Sequence, residues 1–333
     1  MVREVCKLAN RLLNRVVNSP FGEGLFALLE RGDRPKPNQL RVLTYHRVLE
    51  PAAFQRQMAY LAQKYPVISM PQLLAARTSG NALPPGSVMI TFDDAYANFA
   101  ECAWPIMKRY GLPATLFVAT AFPDNPRRIF WWDRLEHALT HTSRRGSFDS
   151  PVGRISLETA AQRMKAYRRL RDYVKTLPYS ETLAWTHKIC SELDAPEPEP
   201  GVLGWQTLRH LADEGVTIGA HTRSHRWLTQ LSPEEVEAEV KGSLADIEKE
   251  IGAAPPIFAY PDGRFNEEVV EILKQAGIVL AFTTIRGVND IRHIDGLRLR
   301  RINIGPRATP LTLRAWLLHA SMPEVARRLL NGH

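Results

Sequence analysis

The chain of 333 residues has no run of eighteen consecutive apolar residues, so no membrane-spanning helix is expected. Cysteine is scarce: Cys6, Cys102 and Cys190 are far apart and odd in number. That argues against a disulfide framework and against a cysteine zinc site, and leaves buried thiols as the expectation. The opening "MVREVCKLANRLLNRVV" lacks the continuous apolar core and small-residue cleavage site of a secretory signal. A cytoplasmic protein is therefore expected. No glycine-rich phosphate loop follows any candidate strand, which argues against a dinucleotide-binding sheet. There is no zinc finger, RNA-recognition signature or basic run interleaved with aromatics, so nucleic acid is not an expected partner.

What is present is ample apolar sequence, 44% of the chain, and a formal net charge of +8. The charge is uneven. Residues 1–48 carry nine Lys and Arg against four acids, and residues 292–333 carry eight Arg against two acids. Basic ends suit an anionic lipid surface or an anionic substrate. At the N-terminus Val5, Leu8, Leu12 and Val16 recur at helical spacing, while Arg3, Lys7, Arg11 and Arg15 stand four apart on another face. Such a helix can lie on the inner face of a membrane. The alternatives are a helix packed on the domain and a mobile arm. "RGDRPKPNQ" (31–39) then reads as a linker.

From about residue 40, strands alternate with helices. "RVLTYHRV", "SVMITF", "ATLFVAT", "VTIGAH", "PIFAY", "IVLAFTT" and "LRLRRINI" read as strands. The helices between them include "SPEEVEAEVKGSLADIEKEIG", with Ser232 as N-cap, Pro233 at N1, Glu235 at N3 and Gly252 beyond its end. This alternation implies parallel βαβ units, and the number of strands suits a barrel. Residues 124–200 break the rhythm and read as a helical insertion. The expected organisation is an N-terminal helix and linker (1–39), a barrel (40–305) and a C-terminal helix (306–333).

"VMITFDDAY" (88–96) ends a buried strand on two adjacent carboxylates, Asp93 and Asp94. Buried carboxylates are costly unless paired or bound to a cation, and active sites of barrels lie at the C-terminal ends of strands. "HTRSH" ends another strand with His221 and His225. Two histidines and one carboxylate make the usual ligand set of a catalytic zinc site. The second carboxylate is then free to act as a base. "FAYPDG" (258–263) places a Pro–Gly turn at a third strand end, where backbone N–H groups, Tyr260's included, can face an oxyanion. His46 in "LTYHRV" reads either as a core histidine or as a residue of the same pocket. Each of these motifs alone has a bland alternative: a surface histidine pair, a loop cap or an ordinary turn.

Together and in this order, "TFDDA", "HTRSH" and "FAYPDG" resemble the motifs of the polysaccharide deacetylase family, the NodB-homology domain of carbohydrate esterase family 4. The resemblance covers roughly residues 40–305. It implies a deformed (β/α) barrel of about seven parallel strands, here with a helical insertion and N- and C-terminal helical arms. It also implies metal-dependent removal of an N-acetyl or other acyl group from an amino sugar of a glycan or lipid-linked saccharide. Carried over, Asp94, His221 and His225 bind one divalent metal, with zinc the expected ion. Asp93 takes a proton from metal-bound water, and the Tyr260 backbone N–H helps hold the oxyanion. This chain departs from the family where many members carry an Arg in the third motif, since it has Ala259 there. Arg301 in "LRLRRINI" is the replacement expected to orient Asp93. Many members supply the general acid from a late L-x-x-H. The only late match, around His319, falls in an apparent helix beyond the last strand, whereas Tyr45-His46 matches branches whose acid is the His of the first strand. His46 is therefore the expected acid.

The tryptophans of "FWWDRLEHAL" can line the site or pack the insertion, with Asp133 a weaker candidate for the site. Two further readings stand beside the deacetylase. One is a glycosidase using Asp93 and Asp94, which adjacent residues serve poorly because the two carboxylates must be separated by several ångströms. The other is a carbohydrate-binding relative that keeps the metal but turns nothing over.

Overall fold

A computed structural model describes residues 36–125, 128–199 and 201–321. The expected N-terminal amphipathic helix lies outside the described residues. The strands are β1 (Gln39–Tyr45), β2 (Ser87–Phe92), β3 (Thr115–Val118), β4 (Ser147–Phe148), β5 (Ile155–Ser156), β6 (Thr217–Ala220), β7 (Ile257–Ala259), β8 (Leu280–Phe282), β9 (Asn289–Asp290) and β10 (Ile302–Asn303). Seven of them pair in parallel in the order β10-β1-β2-β3-β6-β7-β8, and β9 adds an antiparallel pairing to β1. β4 and β5 form a separate hairpin in the insertion.

The sheet is curled, and one segment reaches both of its edges. Leu299 bridges Phe282 of β8, while Ile302 and Asn303 pair with Leu43 and Thr44 of β1. Strands buried on both faces read as unbroken apolar runs, and every residue of "SVMITF" is buried. Alternation then sorts side chains between two cores. Val42, Met89, Phe117, Ile257 and Phe282 fill the interior. Leu43, Ile90, Leu116, Ile218 and Phe258 pack outward with the surrounding helices. The interior has no slack at Gly219, where a Cβ would sit 2.7 Å from Phe117 Cε1 and 2.8 Å from Ile257 Cδ1.

The expected helix after Ser232 forms over Pro233–Ile251 with its capping box complete and Gly252 left-handed beyond it. The sequence reading passes over the helix Met70–Ser79. Ser69 and Gln72 cap it reciprocally, and Met70 and Leu73 join the interior core from beneath. Residues of the insertion form three helices, Trp131–His141, Ala160–Val174 and Tyr179–Glu192. They share a small core, Leu135, Leu139, Leu170, Ile189 and Leu193, which also takes in Trp227 from the loop after β6. The helix Pro310–Ser321 returns Leu313 and Leu317 to the main core, and His319 lies on it, past the last strand. Among the described residues no helix is long and apolar enough to cross a membrane. Cys102 and Cys190 are free thiols, and burial pushes Cys190 up to about 12.

Candidate active site

Two strand ends deliver most of the chemistry. Asp93 N–H donates to Tyr45 O (3.0 Å) and His221 N–H to Val118 O (3.0 Å), so each residue extends its strand by one ladder bond. The backbone then bends sharply. Asp94 (φ 72°) and Ala95 (φ 49°) are left-handed after β2; Thr222 (φ 63°) and His225 (φ 57°) are left-handed after β6. Non-glycine residues in this region are strained by about 1–2 kcal/mol each, and such strain clusters at functional sites. Its effect here is to turn consecutive side chains into different environments.

Asp93 and Asp94 illustrate this. Both are buried, yet their partners differ. Arg301 holds Asp93 in a fork, Nη1 to Oδ1 at 2.8 Å and Nη2 to Oδ2 at 2.7 Å, and its Nε donates to Thr283 O at 2.9 Å. The side chains are only 1% and 4% exposed. Burial alone would raise the Asp93 pKa. Arg301, helped by His221 and His46, outweighs burial and keeps Asp93 below the ordinary carboxylate value. Asp94 instead faces imidazoles. Its Oδ1 lies 3.3 Å from His225 Nε2 and 3.6 Å from His221 Nε2, and its Oδ2 lies 4.0 Å from His46 Nε2. The structure thus brings together the residues expected to hold the metal and the residue expected to act as base.

A divalent ion fits the Asp94–His221–His225 group. One donor atom from each residue falls within 4.8 Å of the others. Asp94 Oδ1 is buried without any hydrogen-bond partner, a rare and costly condition unless something else satisfies the site. His221 Nδ1 donates to Ala259 O (2.7 Å), which leaves the Nε2 lone pair facing Asp94. Burial and repulsion from His225 lower the His221 pKa to about 4, so its imidazole is neutral at pH 7. A neutral ring offers a lone pair but no charge to Asp94. Two imidazole nitrogens and a carboxylate are the donor set that zinc favours.

Glu239, on the helix Pro233–Ile251, holds the histidine loop and was not legible in the sequence. Its Oε2 accepts from the N–H groups of Arg223 and Ser224, both at 2.8 Å, and its Oε1 accepts from the Ser224 hydroxyl. Inside the loop, His225 N–H donates to Thr222 Oγ1 (2.9 Å). In sequence Glu239 is one acid of several on an amphipathic helix, with nothing to separate it from a solvated one.

The third motif requires a correction. The Tyr260 N–H donates to Phe282 O (3.0 Å), so the β7–β8 ladder consumes it and it cannot serve an oxyanion. The Tyr260 hydroxyl is likewise committed, to Leu297 O at 2.9 Å. The turn itself forms where the sequence places it, over Pro261–Gly263. Pro261 has no N–H, and Asp262 adopts φ 54°. Gly263 is obligatory, with φ 70° and a would-be Cβ only 2.5 Å from Thr284 N. Lys175 and Arg264 both pair with the Asp262 carboxylate.

His46 follows β1 and stays partly open, its side chain 42% exposed. It lines a cleft of about 280 Å³ together with Asp93, Asp94, His221 and His225. The insertion forms another wall of this cleft through Trp131, Trp132, Tyr167, Arg171 and Lys175. The Trp132 ring packs 4.8 Å from that of His225, and its Nε1 donates to Tyr96 OH (2.8 Å). Tyr96 OH donates in turn to Asp133 Oδ2 (2.9 Å), and Arg47 pairs with the same carboxylate. Asp133 therefore stands behind the cleft wall and lines a neighbouring cavity of about 470 Å³. Burial, against Arg47 and Tyr96, raises its pKa to about 6.

Comparison with known proteins gives this arrangement a context. The family model described as polysaccharide deacetylase matches residues 80–281. The Bacillus subtilis protein YxkH is 20% identical over 279 residues, 81% of this chain and 73% of that one. The Escherichia coli poly-beta-1,6-N-acetyl-D-glucosamine N-deacetylase is 30% identical over 107 residues, which are 28% of this chain and only 16% of that enzyme. In fold, the chain is similar to the Streptococcus pyogenes deacetylase PplD, with a TM-score of 0.57, 21% identity, and coverage of 86% of this chain and 100% of that one.

Proposed function

The chain belongs to the polysaccharide deacetylase family, hydrolases of the C–N amide bonds of N-acylated sugars, and from that premise we propose that its 280 Å³ cleft removes the acyl group from an amino sugar with the aid of a divalent metal. One observation carries the reading: a buried Asp–His–His group with an unpartnered carboxylate oxygen sits beside a second carboxylate that a guanidinium keeps ionised. Asp94, His221 and His225 would hold the divalent ion, zinc in this reading, which when bound would supply Lewis acidity toward the acyl carbonyl and toward water. Asp93 accepts the proton of the attacking water. Its depressed pKa makes it a modest base, but one that is ionised throughout the neutral range, and the Arg301 fork fixes its two oxygens.

Proton delivery to the departing nitrogen falls to His46. It is the exposed imidazole of the cleft, on the Asp94 side, and it is free of backbone commitments among the described residues. With the Tyr260 amide spent in the ladder, the next N–H of the turn belongs to Asp262, whose residue also lines the cleft. We assign the oxyanion contact to that amide, with Lys175 and Arg264 steadying the turn through the Asp262 carboxylate. The barrel, residues 40–305, is the catalytic unit in this reading, and an intracellular or lipid-linked saccharide precursor is its proposed substrate.

The test is amine release from an N-acetylated glucosamine oligosaccharide by zinc-loaded protein, wild type, Asp93→Asn and His46→Ala. The wild type should release amine, and each variant should lose about 10²- to 10⁴-fold in rate while retaining zinc. Bound zinc without release by any form would leave a carbohydrate-binding protein that has lost turnover. Release unaffected by His46→Ala would remove that residue as the acid.

A further inference from the structure

The five side chains that the insertion brings to the cleft have a one-sided chemistry. Trp131, Trp132 and Tyr167 are aromatic, Arg171 and Lys175 are cationic, and none is acidic. Arg171 and Lys175 stand four residues apart at the C-terminal end of the helix Ala160–Val174, with Lys175 as its C-cap. At that spacing they share a face, and both line the cleft. The bland explanation is that cations favour helix C-termini and that each already has a carboxylate partner. That explanation covers Lys175 better than Arg171. Arg171 pairs with its own sequence neighbour, Asp172, at 2.8 Å, and Asp172 is 66% exposed and outside the cleft lining. Exposed pairs of this kind contribute at most about 1 kcal/mol, so the guanidinium is readily recruited.

The charge balance of the cleft points the same way. Its lining carboxylates are Asp93, Asp94 and Asp262. Asp93 is neutralised by Arg301, Asp262 by Lys175 and Arg264, and Asp94 belongs to the metal group. The lining itself carries three carboxylates and two cations, Arg171 and Lys175; Arg264 and Arg301 serve Asp262 and Asp93 from outside it. Of the two lining cations, Arg171 alone has no lining carboxylate as its partner. A neutral sugar would give that guanidinium no counterpart. Guanidinium forks match phosphate and carboxylate oxygens in geometry.

We propose that the cleft takes an N-acylated sugar bearing an oxyanion substituent, a phosphate or a carboxylate, received by Arg171 and Lys175 of the insertion. The proposal rests on the deacetylase reading for the sugar and adds the anion. Arg171 is a specificity-determining residue in this scheme, and Lys175 links the anion to the Asp262 turn.

Equilibrium binding to metal-stripped protein tests it without any need for turnover. The probes are a methyl glycoside of N-acetylglucosamine, the same glycoside as a phosphodiester, and a disaccharide of N-acetylglucosamine and glucuronic acid. Calorimetry at low ionic strength should show an anionic probe binding about tenfold tighter or more than the neutral one, with the advantage shrinking in high salt. Comparison of the two anionic probes assigns phosphate or carboxylate. Arg171→Gln, at a half-exposed position where folding is little at risk, should cut the anionic preference about fivefold or more, and Lys175→Gln should cut it as well. Equal affinity for neutral and anionic probes would overturn the proposal, as would a preference that survives both substitutions. Failure of the zinc-loaded enzyme to release amine would sink the hydrolase reading alone, because the binding preference is measured independently of it.

Discussion

Replacing Arg301 with Met tests the central pair of the site through stability as well as activity. The wild-type fork makes two charge-assisted bonds to Asp93 and a third bond to Thr283 O, all buried. Removing one member of a buried pair costs about 3–5 kcal/mol, because the other charge is left without a partner. That is a large share of the roughly 5–15 kcal/mol that stabilises a typical domain. The deficit should depend on pH in a definite direction. The folded pKa of Asp93 lies below its ordinary value. The pair's contribution is therefore fully present above the unfolded value, near 3.8, and is lost as pH falls through the folded value. In Arg301→Met, burial acts alone and raises the Asp93 pKa, so acidification protonates the stranded carboxylate and relieves the penalty. Urea unfolding of both proteins at pH 7 and near pH 4 should show a gap that narrows on acidification. Asp93→Asn combined with Arg301→Met should recover part of the loss, giving a coupling energy above about 1 kcal/mol. Arg301→Lys should rescue incompletely, since an ammonium cannot reproduce the fork. A gap below about 1 kcal/mol, or one indifferent to pH, would refute the view that Arg301 keeps Asp93 ionised.

Further consequences can be measured. Dipicolinate treatment should abolish amine release and lower the melting midpoint, and zinc at about 100 times its dissociation constant should restore roughly 2.7 kcal/mol. An unmoved midpoint and undiminished release would argue against a metal at Asp94, His221 and His225. Glu239→Gln should weaken zinc affinity about 10- to 100-fold by loosening the histidine loop, as read by competition with a chromogenic chelator; unchanged affinity would mean that the loop holds itself. Gly219→Ala should destabilise by about 1–3 kcal/mol, because its Cβ would fall 2.7 Å from Phe117. A neutral result in urea unfolding would mean that the interior can yield there.

The barrel was legible because its signals are local and repeated. Buried strands appear as apolar runs, and the helix after Ser232 announces both of its ends. Asp93, Asp94, His221 and His225 were legible because strand ends of a barrel converge whatever their sequence separation. Arg301 could be named from its place on the last strand, although its fork with Asp93 spans 208 residues and is visible only in the fold. Three features escaped for physical reasons. The helix Met70–Ser79 is short, and only its caps, Ser69 and Gln72, mark it. The fate of the Tyr260 amide depends on how far the β7–β8 ladder extends, and side-chain identities do not record that. Glu239 looks in sequence like part of the solvated face of an amphipathic helix, and its hold on the histidine loop comes from what that helix is packed against.

The segment Leu299–Asn303, which reaches both edges of the sheet, also sets an order of events during synthesis. Asp93 leaves the ribosome 208 residues ahead of Arg301. At about 5–20 residues per second, that is a delay of roughly ten to forty seconds. Throughout it β1 and β8 have no closing segment between them, and Asp93 has no guanidinium. A nascent chain halted before Leu299 would therefore carry both catalytic-side carboxylates yet lack the part that makes one of them a stable anion in a closed interior. Closure of the barrel and completion of the proposed base are one event, so a truncated product is both unfinished as a fold and unarmed as an enzyme.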